Sequence, residues 1–129
     1  MTITTTPLDR AEIDRLVDDH FAAEVDQDLD ALLATFADDV EHDVVGIGSL
    51  NHGKQAVAAF YRGLFAGMRF ESIENVRRYY GDGFVVDESI VHTRAESRPA
   101  EFRLLHVFEI GDGLIHRENA WLDTSGIAT

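Results

Sequence analysis

Apolar positions recur at helical spacing in the first half of the chain and at alternate positions in the second half. Asp9 followed by Glu12 reads as a capping box, and Ile13, Leu16, Val17, His20, Phe21 and Ala23 continue as one helical stripe. Asp28 caps a second, short helix running through Leu29, Leu32, Leu33 and Phe36. Val40 to Val45 predicts a strand ending in the Gly46-Ile47-Gly48 loop. Gly53 then precedes a third helix over 54–66, with Val57, Phe60, Tyr61, Leu64 and Phe65 on its apolar side. Period two takes over in four strands, at roughly 69–80, 84–95, 101–110 and 114–123. The Gly81-Asp82-Gly83 and Gly111-Asp112-Gly113 turns each make a hairpin, and a longer connection, Glu96 to Ala100, contains Pro99. Helices first and a meander afterwards define an α+β layer arrangement. Residues 1–8 are expected to be a disordered leader and 9–125 a single domain.

The strand faces locate candidate chemistry. In 101–110 one face carries Phe102, Leu104, His106, Phe108 and Ile110, so His106 is either a satisfied core histidine or a polar tooth in a cavity. In 114–123, Asn119, Trp121 and Asp123 share a face. Asp123 either closes the strand at its rim or enters a pocket with a raised pKa, as a proton donor near neutral pH requires. In the first strand, alternation separates Val40, His42 and Val44 from Glu41, Asp43 and Val45. One of His42 and Asp43 faces inward, and the Val-His-Val face is the more apolar of the two. His20 lies at the edge of the buried stripe of helix one, while His92 stands with Val86, Glu88 and Ile90. His52 and His116 have polar neighbours and are expected at the surface. No metal-site spacing is present among the histidines, and no metal or cofactor is expected.

Composition narrows the class. At 129 residues with 45% hydrophobic content the chain suits one globular domain. A net charge of −13 argues against nucleic acid and against an anionic membrane surface. Residues 1–43 hold 13 Asp and Glu against Arg10 and Arg15, which reads as a solvated helical face. Without cysteine there is no disulfide or thiolate chemistry. Met1 to Pro7 lacks the regions of a signal peptide, and no apolar run reaches the ~18 residues of a membrane span, so a cytoplasmic location is expected.

Several runs carry a family likeness: Phe21-Ala22-Ala23-Glu24, Asp28-Leu29-Asp30-Ala31-Leu32, Phe36-Ala37-Asp38-Asp39-Val40, Gly53-Lys54-Gln55-Ala56-Val57 with Phe60-Tyr61, and His106 to Ile115. Over roughly residues 9–123 the chain resembles the nuclear transport factor 2-like superfamily, within it the SnoaL-like and ketosteroid isomerase-like branch. The resemblance implies a cone, in which a curved, mixed and mostly antiparallel sheet wraps on three N-terminal helices around an internal pocket. It also implies a homodimer.

By that resemblance Asp43 matches the isomerase's catalytic base, His20 and His106 match its two oxyanion-hole donors, and Tyr61 matches its supporting tyrosine. Both donors are histidine here, and the proline after the base is lost, which departs from steroid isomerisation. The branch that opens small epoxides uses an Asp–Arg–Asp set; Asp123 matches its last member, but the other two fall near Ile90 and His92. Scytalone-type dehydratases use two strand histidines with a tyrosine, a set that His92, His106 and Tyr61 resemble.

The leading expectation is therefore cofactor-free acid–base chemistry on a small, mostly apolar carbonyl compound such as a polyketide or terpenoid. Asp43 abstracts a proton, His106 and His20 hold the enolate oxygen, and Asp123 serves as a second acid. Phe36, Tyr61, Phe108 and Trp121 form the wall, with His42 and His92 also lining the pocket. Isomerisation, cyclisation and dehydration all pass through that enolate. Epoxide hydrolysis and a non-catalytic ligand-binding or assembly domain are the alternatives.

Overall fold

The computed structural model describes residues 9–123. The leader at 1–8 and the last residues of the expected domain, 124–125, lie outside them. Helix α1 (Arg10–Asp26) starts where Asp9 accepts a hydrogen bond from the Glu12 amide at 2.8 Å, and ends at Gln27, which takes the left-handed conformation. Asp28 caps α2 (Leu29–Leu33) in the same way, through the Ala31 amide at 3.1 Å. Strand β1 (Phe36–Val45) then pairs with the short β2 (Ser49–His52), α3 (Lys54–Gly67) follows, and four long strands complete the chain. These are β3 (Arg69–Gly81), β4 (Phe84–Ala95), β5 (Arg98–Gly111) and β6 (Leu114–Leu122).

The six strands form one curved, mixed sheet in the order β2-β1-β6-β5-β4-β3, antiparallel except where β1 runs parallel to β6. Two boundaries differ from the sequence reading. Phe36 opens β1 instead of closing α2, because Phe36 registers opposite Ile115 and a bulge before Glu41 takes up the extra residues. The expected 96–100 connection contracts to Glu96 and Ser97, both at positive φ, and Pro99 lies within β5 opposite Arg94.

Helices cover one face of the sheet. Ile13, Val17, Phe21, Leu32, Val57 and Tyr61 pack from the helical side against Phe36, Val40, Val85, Phe108 and Ile115. Burial in β4 alternates strictly, with Val85, Asp87, Ser89, Val91 and Thr93 inside and Val86, Glu88, Ile90 and His92 outside. That inner face therefore receives polar side chains as well as apolar ones. No helix among the described residues is long and apolar enough to cross a membrane.

Candidate functional site

Helix α1 projects His20 and, one turn on, Glu24 into the interior, where β6 offers Glu118, β1 offers His42 and α3 offers Tyr61. All five are at least 93% buried. His20 Nε2 lies 2.9 Å from Glu24 Oε1 and 3.1 Å from Glu118 Oε1, aimed between the two oxygens and along neither. On its other side, Nδ1 is 3.1 Å from the Thr35 hydroxyl, which donates its own proton to the Leu32 carbonyl at 2.6 Å. Thr35 can then only accept from Nδ1, while two carboxylates face Nε2, so both ring nitrogens carry hydrogen and His20 is an imidazolium.

Burial opposes that charge, but Glu118 first and Glu24 second outweigh it and raise the His20 pKa to about 10. Burial likewise works against an ionised Glu118, yet the charges of His20 and His42 bring its pKa down to about 2.

Tyr61 donates to Glu24 Oε1 at 3.0 Å, so its oxygen accepts from His42 Nε2 at 3.3 Å. The same nitrogen lies 3.7 Å from Glu118 Oε2. Burial, then Glu118 and Glu24, push the Tyr61 hydroxyl well above its ordinary pKa, which keeps it a donor. His42 Nδ1, buried against Phe36, Phe60 and Tyr61, has no hydrogen-bond partner.

Across the sheet on the same face stands His106, stacked on Phe108 at 5.5 Å and touching Phe21 at 5.1 Å; its Nδ1 is also unpartnered. Asp87 Oδ1 is 3.9 Å away, on a carboxylate bonded to Ser89, Asn75 and Arg78. A cavity of about 400 Å³ opens nearby between α1 and β3, with Phe21, Val25, Ile73, Asn75 and Arg78 in its lining.

The structure brings His20, His42, His106 and Tyr61 together, with Phe36 and Phe108 fully buried as their aromatic packing. It does not bring Asp43. Period two turns Asp43 to the opposite face of β1, half-buried in the register row Asp43–Asn119–Val107–Val86–Tyr79. Trp121 shares that outer face, 41% exposed between Leu105 and Val45. Asp123 follows β6 exposed, its amide bonded to the Arg103 carbonyl at 3.0 Å. His92 is half-buried on the outer side of β4, 3.7 Å from Glu74 and 3.8 Å from Glu101. These four therefore lie apart from the cluster. His52 and His116 are exposed, as expected.

Sequence reasoning missed Glu24, Glu118 and Asp87. His20 and Glu24 stand four residues apart on one helix, a spacing that puts them on one face. For Glu118 and Asp87 only the strand parity carried the signal. The atoms of His20, Glu24 and Glu118 converge closely enough to suit a cation, but the doubly protonated imidazole already supplies the positive charge there.

The model of the SnoaL-like domain family matches residues 17–118, and the chain belongs to that family. Solved structures of low identity share the fold. An LEH-like epoxide hydrolase of M. tuberculosis is 23% identical, with 91% of this chain and 86% of that chain covered at a TM-score of 0.80. A protein of Catenulispora acidiphila with a ketosteroid isomerase-like fold, in complex with trimethylamine, is 16% identical over 87% and 88% of the chains, TM-score 0.80. A SnoaL-like polyketide cyclase of Shewanella denitrificans is 12% identical over 92% and 95%, TM-score 0.81. The search of curated proteins returns no match.

Proposed function

We propose that the protein is an enzyme that uses cofactor-free acid–base catalysis on a small, mostly apolar carbonyl compound, with His106 and His42 as its working pair. One observation carries this reading: two imidazoles in one interior each hold a buried Nδ1 without a hydrogen-bond partner. Leaving a buried polar atom unsatisfied costs about 1–3 kcal/mol, so the bare Nδ1 of His42 points to a ligand, while that of His106 faces the Asp87 carboxylate at 3.9 Å.

The pair stands on the same face of the sheet, two strands apart and hence separated laterally by about 10 Å. His106 takes the α-proton, and the C–H electron pair becomes the C=C of an enolate as the carbonyl π pair moves onto oxygen. His42 donates to that oxygen from Nδ1. His20 is enclosed by Phe21, Phe36 and Phe108 and acts from behind, as the fixed charge that keeps Glu118 ionised. Return of the proton to another carbon gives isomerisation, attack on a second carbonyl gives cyclisation, and loss of a β-hydroxyl gives dehydration. The names of the isomerase-like and cyclase neighbours favour this family of reactions.

The test is exchange of α-protons with D2O, followed by NMR on a panel of cyclic enones and polyketide-like ketones. A positioned base is worth about 10²–10⁴-fold and an oxyanion donor about 10²–10³-fold, so His106→Gln and His42→Gln should each lower exchange by at least 10²-fold. Exchange that is absent across the panel would leave a non-catalytic binding domain, and exchange unaffected in both variants would remove His106 and His42 from the mechanism.

A second reading, epoxide opening by activated water, is favoured by the buried Asp87–Arg78 pair and by the M. tuberculosis neighbour's name. It requires solvent oxygen in the product.

We also propose a homodimer through the outer sheet face, where Tyr79, Phe84, Leu105 and Trp121 are exposed around Val86 and Val107.

A further inference from the structure

We propose that Asp87 is the positioning residue of His106, holding its Nδ1–H so that Nε2 is the nitrogen that takes the substrate proton, and that Arg78 fixes Asp87 for this task. The inference rests on the acid–base reading above.

The two oxygens of Asp87 are unequally used. Oδ2 accepts from Asn75 Nδ2 and from Arg78 Nε, both at 2.7 Å. Oδ1 accepts from the Ser89 hydroxyl and keeps acceptor capacity toward His106 Nδ1, 3.9 Å away. Both groups are buried and Nδ1 has no partner, so an advance of about 1 Å completes a hydrogen bond. Catalytic hydrogen bonds are commonly long in an empty site and tighten when substrate binds. The opposite tautomer would point a nitrogen lone pair at a carboxylate in a low-dielectric interior, which Coulomb repulsion disfavours. Stacking on Phe108 and the contact with Phe21 restrict ring rotation, so tautomer and orientation are set together.

Arg78 makes an ionised Asp87 tenable away from water. Its Nη1 and Nη2 also reach Asp14 at 2.9 Å and Asp18 at 2.6 Å, tying the carboxylate to helix α1. This use of Arg78 and Asp87 needs neither water activation nor any group beyond the chain.

Asp87→Asn is the decisive variant. With Arg78 and Asn75 both donating to the Oδ2 side, the amide oxygen takes that side and the NH2 faces His106. An NH2 donor there demands a lone pair on Nδ1 and forces the wrong tautomer. Histidine-selective 15N labelling, with His106→Gln to assign the resonances, reads the tautomer directly.

The expected result is Nδ1–H on His106 in the wild-type protein and Nε2–H in Asp87→Asn, with kcat for α-proton exchange at least about 10²-fold lower and KM changed by less than about threefold. Ser89→Ala frees Oδ1 for His106 alone and should strengthen the Nδ1–H hydrogen bond, moving that proton further downfield. It carries the test if circular dichroism shows Asp87→Asn unfolded. An Nε2–H tautomer in the wild type, an unchanged tautomer in Asp87→Asn, or a loss expressed only in KM overturns the proposal. Should no ketone exchange at all, the acid–base reading falls, while the 15N spectra still decide whether Asp87 holds His106.

Discussion

Glu118→Gln removes one carboxylate from the two that face His20, and the consequence follows from the geometry. A rise of the His20 pKa from 6.5 to about 10 corresponds to several kcal/mol of preference for the charged ring in the folded state. Removing one member of a buried ion pair costs about 3–5 kcal/mol. Glu24 remains at 2.9 Å to hold part of that charge, so the lower end, about 3 kcal/mol, is expected. Against a typical domain stability of about 5–15 kcal/mol this leaves a folded but weakened protein.

The pH dependence distinguishes the cause from simple mispacking. His20 binds its proton more tightly in the folded chain, so its contribution is complete below pH 6.5 and is lost as the pH rises toward about 10. Glu118 has the opposite sign, because its depressed pKa gives stability complete above pH 4.5 and lost as the pH falls toward about 2. Wild-type stability should therefore be greatest between these limits and decline from pH 6.5 to 9. Glu118→Gln should decline less steeply, so that a difference of about 3 kcal/mol at pH 6 narrows to about 1 kcal/mol at pH 9. Urea unfolding at a series of pH values, followed by circular dichroism, measures both curves. A wild-type curve that is flat from pH 7 to 9, or a mutational cost equal at pH 6 and 9, refutes the imidazolium assignment.

Three further outcomes follow from the geometry. Arg78→Met leaves Asp87 buried beside Asn75 and Ser89 without a cation and should cost about 3–5 kcal/mol in urea unfolding, whereas Asp18→Asn, at a mostly exposed partner of the same arginine, should cost less than about 1 kcal/mol. Asp43→Asn, on the far face of β1, should leave α-proton exchange within about threefold of wild type; a loss of 10²-fold would return Asp43 to the mechanism. Leu105→Glu places a charge amid the exposed apolar residues of the outer face and should shift the sedimenting species from dimer to monomer at micromolar concentration, with the fold retained by circular dichroism.

Much of the architecture was legible because local chemistry dictated it. Asp9 and Asp28 each cap a helix as their spacing announced, and the two Gly-Asp-Gly turns join the strands expected of them. Boundaries set by partners were less legible. Phe36 continues the apolar spacing of α2, and only its pairing with Ile115 draws it into β1. Site residues followed the same division. In β6, Trp121 is the largest apolar residue and invites an inward assignment, yet the inward parity there belongs to Glu118, Ala120 and Leu122, with Trp121 left to the outer face. A slip of one residue exchanges every side chain between faces, so that one inference hid Glu118 and brought Asp123 forward. At β1 the more apolar alternation, Val40 with His42 and Val44, was the inward one, and the family match to Asp43 pointed the other way.

The acids that mattered were hidden by their number. Among 24 Asp and Glu, most are solvated charge, and nothing local sets Glu24, Asp87 and Glu118 apart from the rest. What sets them apart is a cation facing each from another side chain: His20 for Glu24 and Glu118, Arg78 for Asp87. A carboxylate is tolerated in a protein interior only with such a partner. The histidines in apolar stripes were therefore the readable half of each pair. His20 on a helix with Leu16, Val17 and Phe21, and His106 on a strand with Leu104 and Phe108, mark places where an acid must approach. The acid on the same helix is found by its four-residue spacing, whereas the acid on another strand emerges only once the register is known. The proposed catalytic reading turns on that asymmetry, because Glu118, facing His20 and His42, and Asp87, facing His106, lie on other elements and only the folded sheet brings them near.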